Sequence, residues 1–200
     1  MREALNEIAP GLARWTAPHP EWRPGEEAES AGDWPEDVGC VLYEAPGAVV
    51  FIDPLLPPDP ELLWPALDER VAGRRVVVLV TIDWHGRSRD AFVERYGAET
   101  APPPSEVEPF RLPRAGETVF WLPEHAALVP GDRILGAPGG GLRMCPVSWL
   151  SYLPSKIGLQ ELREELTPLL ELPVRRVLVS HGEPVLDGGH DALARALLSA

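Results

Sequence analysis

His85 stands in "TIDWHGRSRD", residues 81–90, with Asp83 two residues before it and Arg87 two residues after. The stretch follows the most hydrophobic run of the chain, "RRVVVLV". Three further segments have the same form, an apolar run that ends on polar groups. "VVFIDP" ends on Asp53, "AALVPGD" on Asp132, and "VLVSHGEP" on Ser180, His181 and Glu183. Imidazole and carboxylate are the donors that zinc and similar cations take, and either group can move a proton. In α/β sheets, ligands bind outside the carboxyl ends of the strands. If the strands share one sheet, Asp53, the 83–87 cluster and His181 converge at one rim. Asp132 then joins them from a hairpin.

The elements that would position these groups read as follows. "VGCVLYEAPGAVVFID" is a hairpin around "APG". "DPELLWPALDERVAG" is a helix with Asp59 as cap, Pro60 at its first position and Gly73 as its stop, although Pro65 weakens the pattern. "RRVVVLVT" is a buried strand, because it is continuously apolar instead of alternating. Strand, helix, strand makes a βαβ unit, so its two strands are expected to be parallel. "RSRDAFVERYG" is a second helix and "APPPSEVEPFRLPRAG" a connection. "ETVFWLPEHAALVPGD" is another hairpin, and "ILGAPGGGLRMCPVSWLSYLPSKIG" a long loop. "LQELREELTPLLEL" is an amphipathic helix. "VRRVLVSHGEP" is a strand, and "DGGHDALARALLSA" a closing helix that Asp187 can cap. Residues 1–36, rich in Pro, Trp and acidic residues, are expected to be mostly irregular, with "EEAESAGD" mobile and Trp15, Trp22 and Trp34 packed on the body. The order fits an α/β fold, a four-layer αββα sandwich of two mixed sheets in one domain spanning residues 1–200.

Composition narrows the partners. A net charge of -13 argues against nucleic acid and anionic membrane surfaces. No apolar stretch is long enough for a membrane helix, and "MREALNEIAP" lacks the apolar region of a secretory signal. Cys40 and Cys145 have no CxxC spacing and read as reduced thiols, so a cytoplasmic location is expected. His19, His125 and His190 stand apart from the clusters and are expected at the surface.

In order and type, "VVFIDP", "VLVTIDWHGR", "AALVPGDRILG" and "VLVSHGEP" resemble the metallo-β-lactamase fold superfamily, which includes glyoxalase II-like hydrolases. The resemblance covers roughly residues 38–185 and implies an αββα fold, a zinc site and hydrolysis. The chain departs from the family's T-H-x-H-x-D-H motif. With Thr81 on the motif threonine, Ile82, Trp84, Gly86 and Arg87 fall on the metal-binding positions, and "PRAGET" lacks the histidine of the G-H-T-x-G context. Asp132 and His181 remain, and His85 lies one position off the pattern.

His85, Asp132 and His181 can still make a three-ligand site for one zinc, iron or manganese ion, with an open position for hydrolytic water. Asp83 is then a fourth ligand or a general base, with His85 as its catalytic neighbour. Asp53, Trp84, Arg87, Cys145 and Trp149 are the expected pocket residues. Two classes stay open. One is a divergent hydrolase with a reduced metal site, acting on a small ester or thioester. The other is a metal-free relative that binds a small molecule or a protein. In the second, His85 fills the vacated space or bonds Asp83, and the Arg87 guanidinium neutralises Asp132 and Asp53 without an ion.

Overall fold

The computed structural model describes residues 5–27, 30, 32 and 34–198. Two sheets lie face to face, and helices cover the outer side of each. The first sheet joins β1 (Asn6–Ala9), β2 (Leu12–Pro18), β3 (Asp37–Ala45), β4 (Ala48–Ile52) and β5 (Val76–Leu79) in that spatial order. β3 and β4 form the expected hairpin, and β4 runs parallel to β5 through α1 (Trp64–Val71). α2 (Arg89–Tyr96) follows, stopped by Gly97 in the left-handed conformation. The second sheet has β6 (Glu108–Leu112), β7 (Glu117–Leu122) and β8 (Ala127–Val129), with β11 (Arg176–Val177) parallel to β8 at its edge. A ribbon of β9 (Ile134–Gly136) and β10 (Leu142–Met144) stands apart. α3 (Leu159–Leu166) and α4 (Gly189–Leu198) cover this half.

Side-chain alternation along the strands builds three cores from two sheets. On β3 to β5, Leu42, Val49, Phe51, Val76 and Val78 point out to Leu67 of α1 and Phe92 of α2. Their sequence neighbours Val41, Tyr43, Val50, Ile52 and Val77 point in, meeting Phe120 and Leu122 of β7 and Val129 of β8. Val119, Trp121 and Leu128 face outward onto Leu162, Leu166, Leu193 and Leu197. Continuously apolar strands are thus buried on both faces, and the αββα layering follows.

Several elements differ from the sequence reading. Residues 6–18 are not irregular: β1 and β2 extend the first sheet, and Trp15 is buried in its outer core. β6 arises inside the proline-rich connection as the partner of β7, where its pairing supplies the order that Pro109 disfavours. The glycine-rich loop contains the β9/β10 ribbon and a 3-10 turn at Val147–Tyr152. Helix α1 begins only at Trp64, after a separate 3-10 turn at Pro60–Leu62, so Pro65 lies in its first turn, where it has no hydrogen bond to lose. Asp187 pairs with Arg175 at 3.1 Å. The acidic stretch "EEAESAGD" lies in part outside the described residues. No helix among the described residues is long and apolar enough to cross a membrane.

Candidate metal centre

The polar clusters do converge, but from two sheets instead of one. Asp53 and residues 81–88 follow β4 and β5 of the first sheet, whereas Asp132 and His181 follow β8 and β11 of the second. The segment after β11 ties the two together. Leu178 N–H donates to Leu128 on the second sheet, Ser180 accepts from Gly39 N–H on the first, and His181 bridges Val38. β11 is short for that reason. Its chain leaves one ladder to brace the other.

His181 is fixed by a close backbone crossing. Gly136 N–H donates to His181 O at 2.9 Å. A Cβ on Gly136 would lie 2.5 Å from Glu183 O, and one on Gly182 (φ +87°) would lie 2.8 Å from Gly136 O. Asp132 is fixed by Glu117, which accepts from the N–H groups of Gly131, Asp132 and Arg133 at 2.9 to 3.1 Å. Glu117 belongs to "PRAGET", where it organises the backbone that carries Asp132. Burial pushes its pKa up.

His85 sits in a 3-10 turn at Asp83–Gly86, buried between two carboxylates. Its Nδ1 lies 2.9 Å from Asp53 Oδ2, and its Nε2 lies 3.1 Å from Asp132 Oδ1. Asp53 also accepts from the Thr81 hydroxyl and backbone N–H. A carboxylate only accepts, so Asp53 places a proton on Nδ1 and turns Nε2 toward Asp132. His181 Nε2 approaches the same Asp132 Oδ1 at 3.4 Å. The other oxygen, Oδ2, accepts from the Trp84 indole at 2.8 Å. Three donor atoms, from His85, Asp132 and His181, therefore lie within 4.8 Å of one another.

Burial alone would lower the His85 pKa, but Asp132 and Asp53 outweigh it and hold it at about 9. Burial would raise that of Asp132, but the two histidines hold it well below the carboxylate range. Burial keeps His181 neutral, its pKa lowered despite Asp132.

These donors fit a divalent cation. Asp132 Oδ1 is buried without a hydrogen bond of good geometry, between two imidazole nitrogens. Donors about 2.1 Å from a tetrahedral ion stand about 3.4 Å apart, close to the observed 3.1 and 3.4 Å. A divalent ion in place of the His85 proton also balances the charges of Asp53 and Asp132.

No family model matches the sequence, and no curated protein gives a significant match. Solved structures do match. DIM-1 metallo-β-lactamase superposes with a TM-score of 0.62 at 12% identity, over 98% of this chain and 96% of that one. FIM-1 metallo-β-lactamase from Pseudomonas aeruginosa, in a mono-zinc form, gives 0.56 at 9% identity, over 97% and 94%. A metallo-β-lactamase family protein from Thermus thermophilus gives 0.53 at 17%, over 93% and 78%. The chain has the metallo-β-lactamase fold.

Within this metallo-β-lactamase fold, the cluster opens into a cavity of about 600 Å³. Trp84, Arg87 and Trp149 line it together with His85, Asp132 and His181. Other expected members fall elsewhere. Asp83 is exposed and off the cavity wall, because the 3-10 turn sends it outward while it sends His85 inward. Cys145 is buried in the core under α3, with its pKa pushed up to about 11 by burial. Asp53 lies behind His85 and acts through it. Arg87 bonds neither Asp132 nor Asp53; its Nη2 donates to Ser180 Oγ at 3.3 Å, and His85 is the cation that joins the two carboxylates.

Residues not foreseen complete the site. His19 and Trp34 come from the N-terminal segment, and Trp34 stacks on the His181 ring at 5.8 Å and 11°. Tyr152 and the buried Arg133 also line the cavity. His125 is buried edge-on against Tyr43 instead of exposed. His190 is exposed, bonded to Leu170 O at 3.1 Å. No local pattern marks His19 or Trp34, since their role depends on a segment folding across the rim.

Proposed function

We propose that this chain is a divergent hydrolase with one metal ion, held by His85, Asp132 and His181, acting on a small ester or thioester bound in the adjoining cavity. The observation that carries this reading is the convergence of two imidazole nitrogens on one buried carboxylate oxygen. An ion held there supplies a Lewis-acid centre for hydrolysis. The chain's own groups prepare it. Asp53 sets the tautomer and plane of His85. The Trp84 indole occupies one oxygen of Asp132 and leaves the other for the ion. Trp34 and Trp149 pack on His181 and keep water from its flanks.

The test is metal content. Protein purified without chelator and analysed by plasma mass spectrometry is expected to carry about one zinc, iron or manganese per chain. A chain that stays empty after incubation with excess zinc overturns the reading. A second reading is a metal-free binding module, favoured by one fact: protonated His85 already joins Asp53 and Asp132 without an ion. Asp53→Asn separates the two readings. Under the metal reading, zinc affinity falls about 10- to 100-fold, the usual loss when a histidine ligand loses its outer partner. Under the metal-free reading, zinc affinity is negligible in both proteins.

A further inference from the structure

The cavity holds a cation that the metal reading does not use. Arg87 lines it, yet among the described residues its Nε and Nη1 are buried without a hydrogen-bond partner. Its one side-chain bond among the described residues goes to the neutral Ser180 hydroxyl at 3.3 Å. Glu21 lines the same cavity but gives Arg87 no bond. A half-buried guanidinium whose spare donors are shut off from water is costly unless an oxyanion completes it. Its planar fork suits the paired oxygens of a carboxylate or phosphoryl group. The backbone agrees with a site held against its preference. Arg87 has φ 20° and ψ −103°, a combination that a side chain rarely adopts and that tends to persist where function requires it.

The rest of the wall is flat and apolar. Trp34 and Trp149 meet edge-on at 6.2 Å, and Trp84 and Tyr152 line the same space. Trp84 is half exposed and braced from below by the Arg133 guanidinium, 5.6 Å from its ring. This second cation, itself buried, disfavours a cationic guest.

We infer that Arg87 is an oxyanion-binding residue: the cavity takes a small molecule with a carboxylate or phosphoryl group at Arg87 and a flat apolar body against the tryptophans. This deepens the hydrolase reading and rests on it only in calling that molecule a substrate. The binding itself needs no metal.

The test uses tryptophan fluorescence of the full chain, chelator-treated and zinc-loaded in parallel. The probes are benzoate, phenyl phosphate, inorganic phosphate and neutral benzamide. In chelator-treated protein, where no ion can capture an anion, benzoate or phenyl phosphate should bind at least about ten-fold tighter than benzamide. Arg87→Met should weaken the anions about 10- to 100-fold, the worth of hydrogen bonds to a charged group, and leave benzamide within about two-fold. The better of the two aromatic anions assigns the oxyanion. Equal binding of benzamide and the anions overturns the inference, as does a folded Arg87→Met that keeps the anions. Inorganic phosphate binding as tightly as phenyl phosphate overturns the apolar half. If Arg87→Met does not fold, the ratio in the wild-type chain decides. Zinc uptake without anion selectivity sinks this inference alone, and anion selectivity without zinc uptake sinks the metal centre alone.

Discussion

Asp132→Ala is expected to abolish metal binding and to destabilise even the metal-free chain. Asp132 is where both imidazoles meet, with His85 at 3.1 Å and His181 at 3.4 Å from one oxygen. Removing it leaves two histidines with no carboxylate between them. Metal affinity should then fall by more than the roughly 100-fold ceiling for outer-shell changes. The chelated protein suffers separately. His85 Nε2 loses its carboxylate, leaving Asp53 and the Thr81 hydroxyl at Nδ1, and the Trp84 indole N–H loses its acceptor. Breaking one side of a buried charge pair costs about 3 to 5 kcal/mol. Urea unfolding in chelator reads that loss, and metal analysis of the folded fraction reads the first. An Asp132→Ala chain with the wild-type metal content would mean that the ion sits elsewhere.

Gly136→Val is the second large expected effect, and it acts on the site through the backbone alone. The new Cβ would lie 2.5 Å from Glu183 O and 2.6 Å from Glu183 N. Both are main-chain atoms, so no side chain can swing away. Relief requires β9 and the 181–183 loop to part, which moves His181 and breaks the Gly136 N–H to His181 O bond. A loss of about 3 kcal/mol or more is expected, the range of severe steric mutations, together with a loss of metal. Gly139→Ala is the control. Nothing lies within 4 Å of its Cβ, and only its φ of +81° resists, so about 1 kcal/mol is the expected cost. If Gly136→Val unfolded at the same urea concentration as Gly139→Ala, the close crossing would not be what places His181.

Much of the frame was legible because local physics wrote it. "VGCVLYEAPGAVVFID" reads as a hairpin from its turn residues and becomes β3 and β4. "RRVVVLVT" reads as a strand buried on both faces, and β5 has a core on each side. The elements that escaped the reading are those whose order comes from a distant partner. β6 carries Pro109 inside a proline-rich connection and depends on β7 for its register. β1 and β2 lie among prolines and charges, and they order because β3 offers an open edge.

The site divides the same way. An apolar strand ending in a polar residue marked Asp53, Asp132 and His181 from the sequence, since a strand can only deliver its last side chains to its own rim. His85 was placed there too, one position off the family pattern. Asp83 was legible only as a carboxylate near a histidine. The direction of each is set by a single 3-10 turn, which buries His85 and exposes Asp83. Composition and spacing do not encode that turn.

The sequence by itself determined most of the strand and helix pattern and the four polar strand ends, because each is written in neighbouring residues. The tertiary structure alone decided that two sheets, not one, supply the cluster. It also decided that His85 instead of Arg87 joins Asp53 to Asp132, and that Trp34 of a remote segment stacks on His181. Those outcomes depend on which side chains meet across the packed rim, and meetings between residues far apart in the chain leave no local trace.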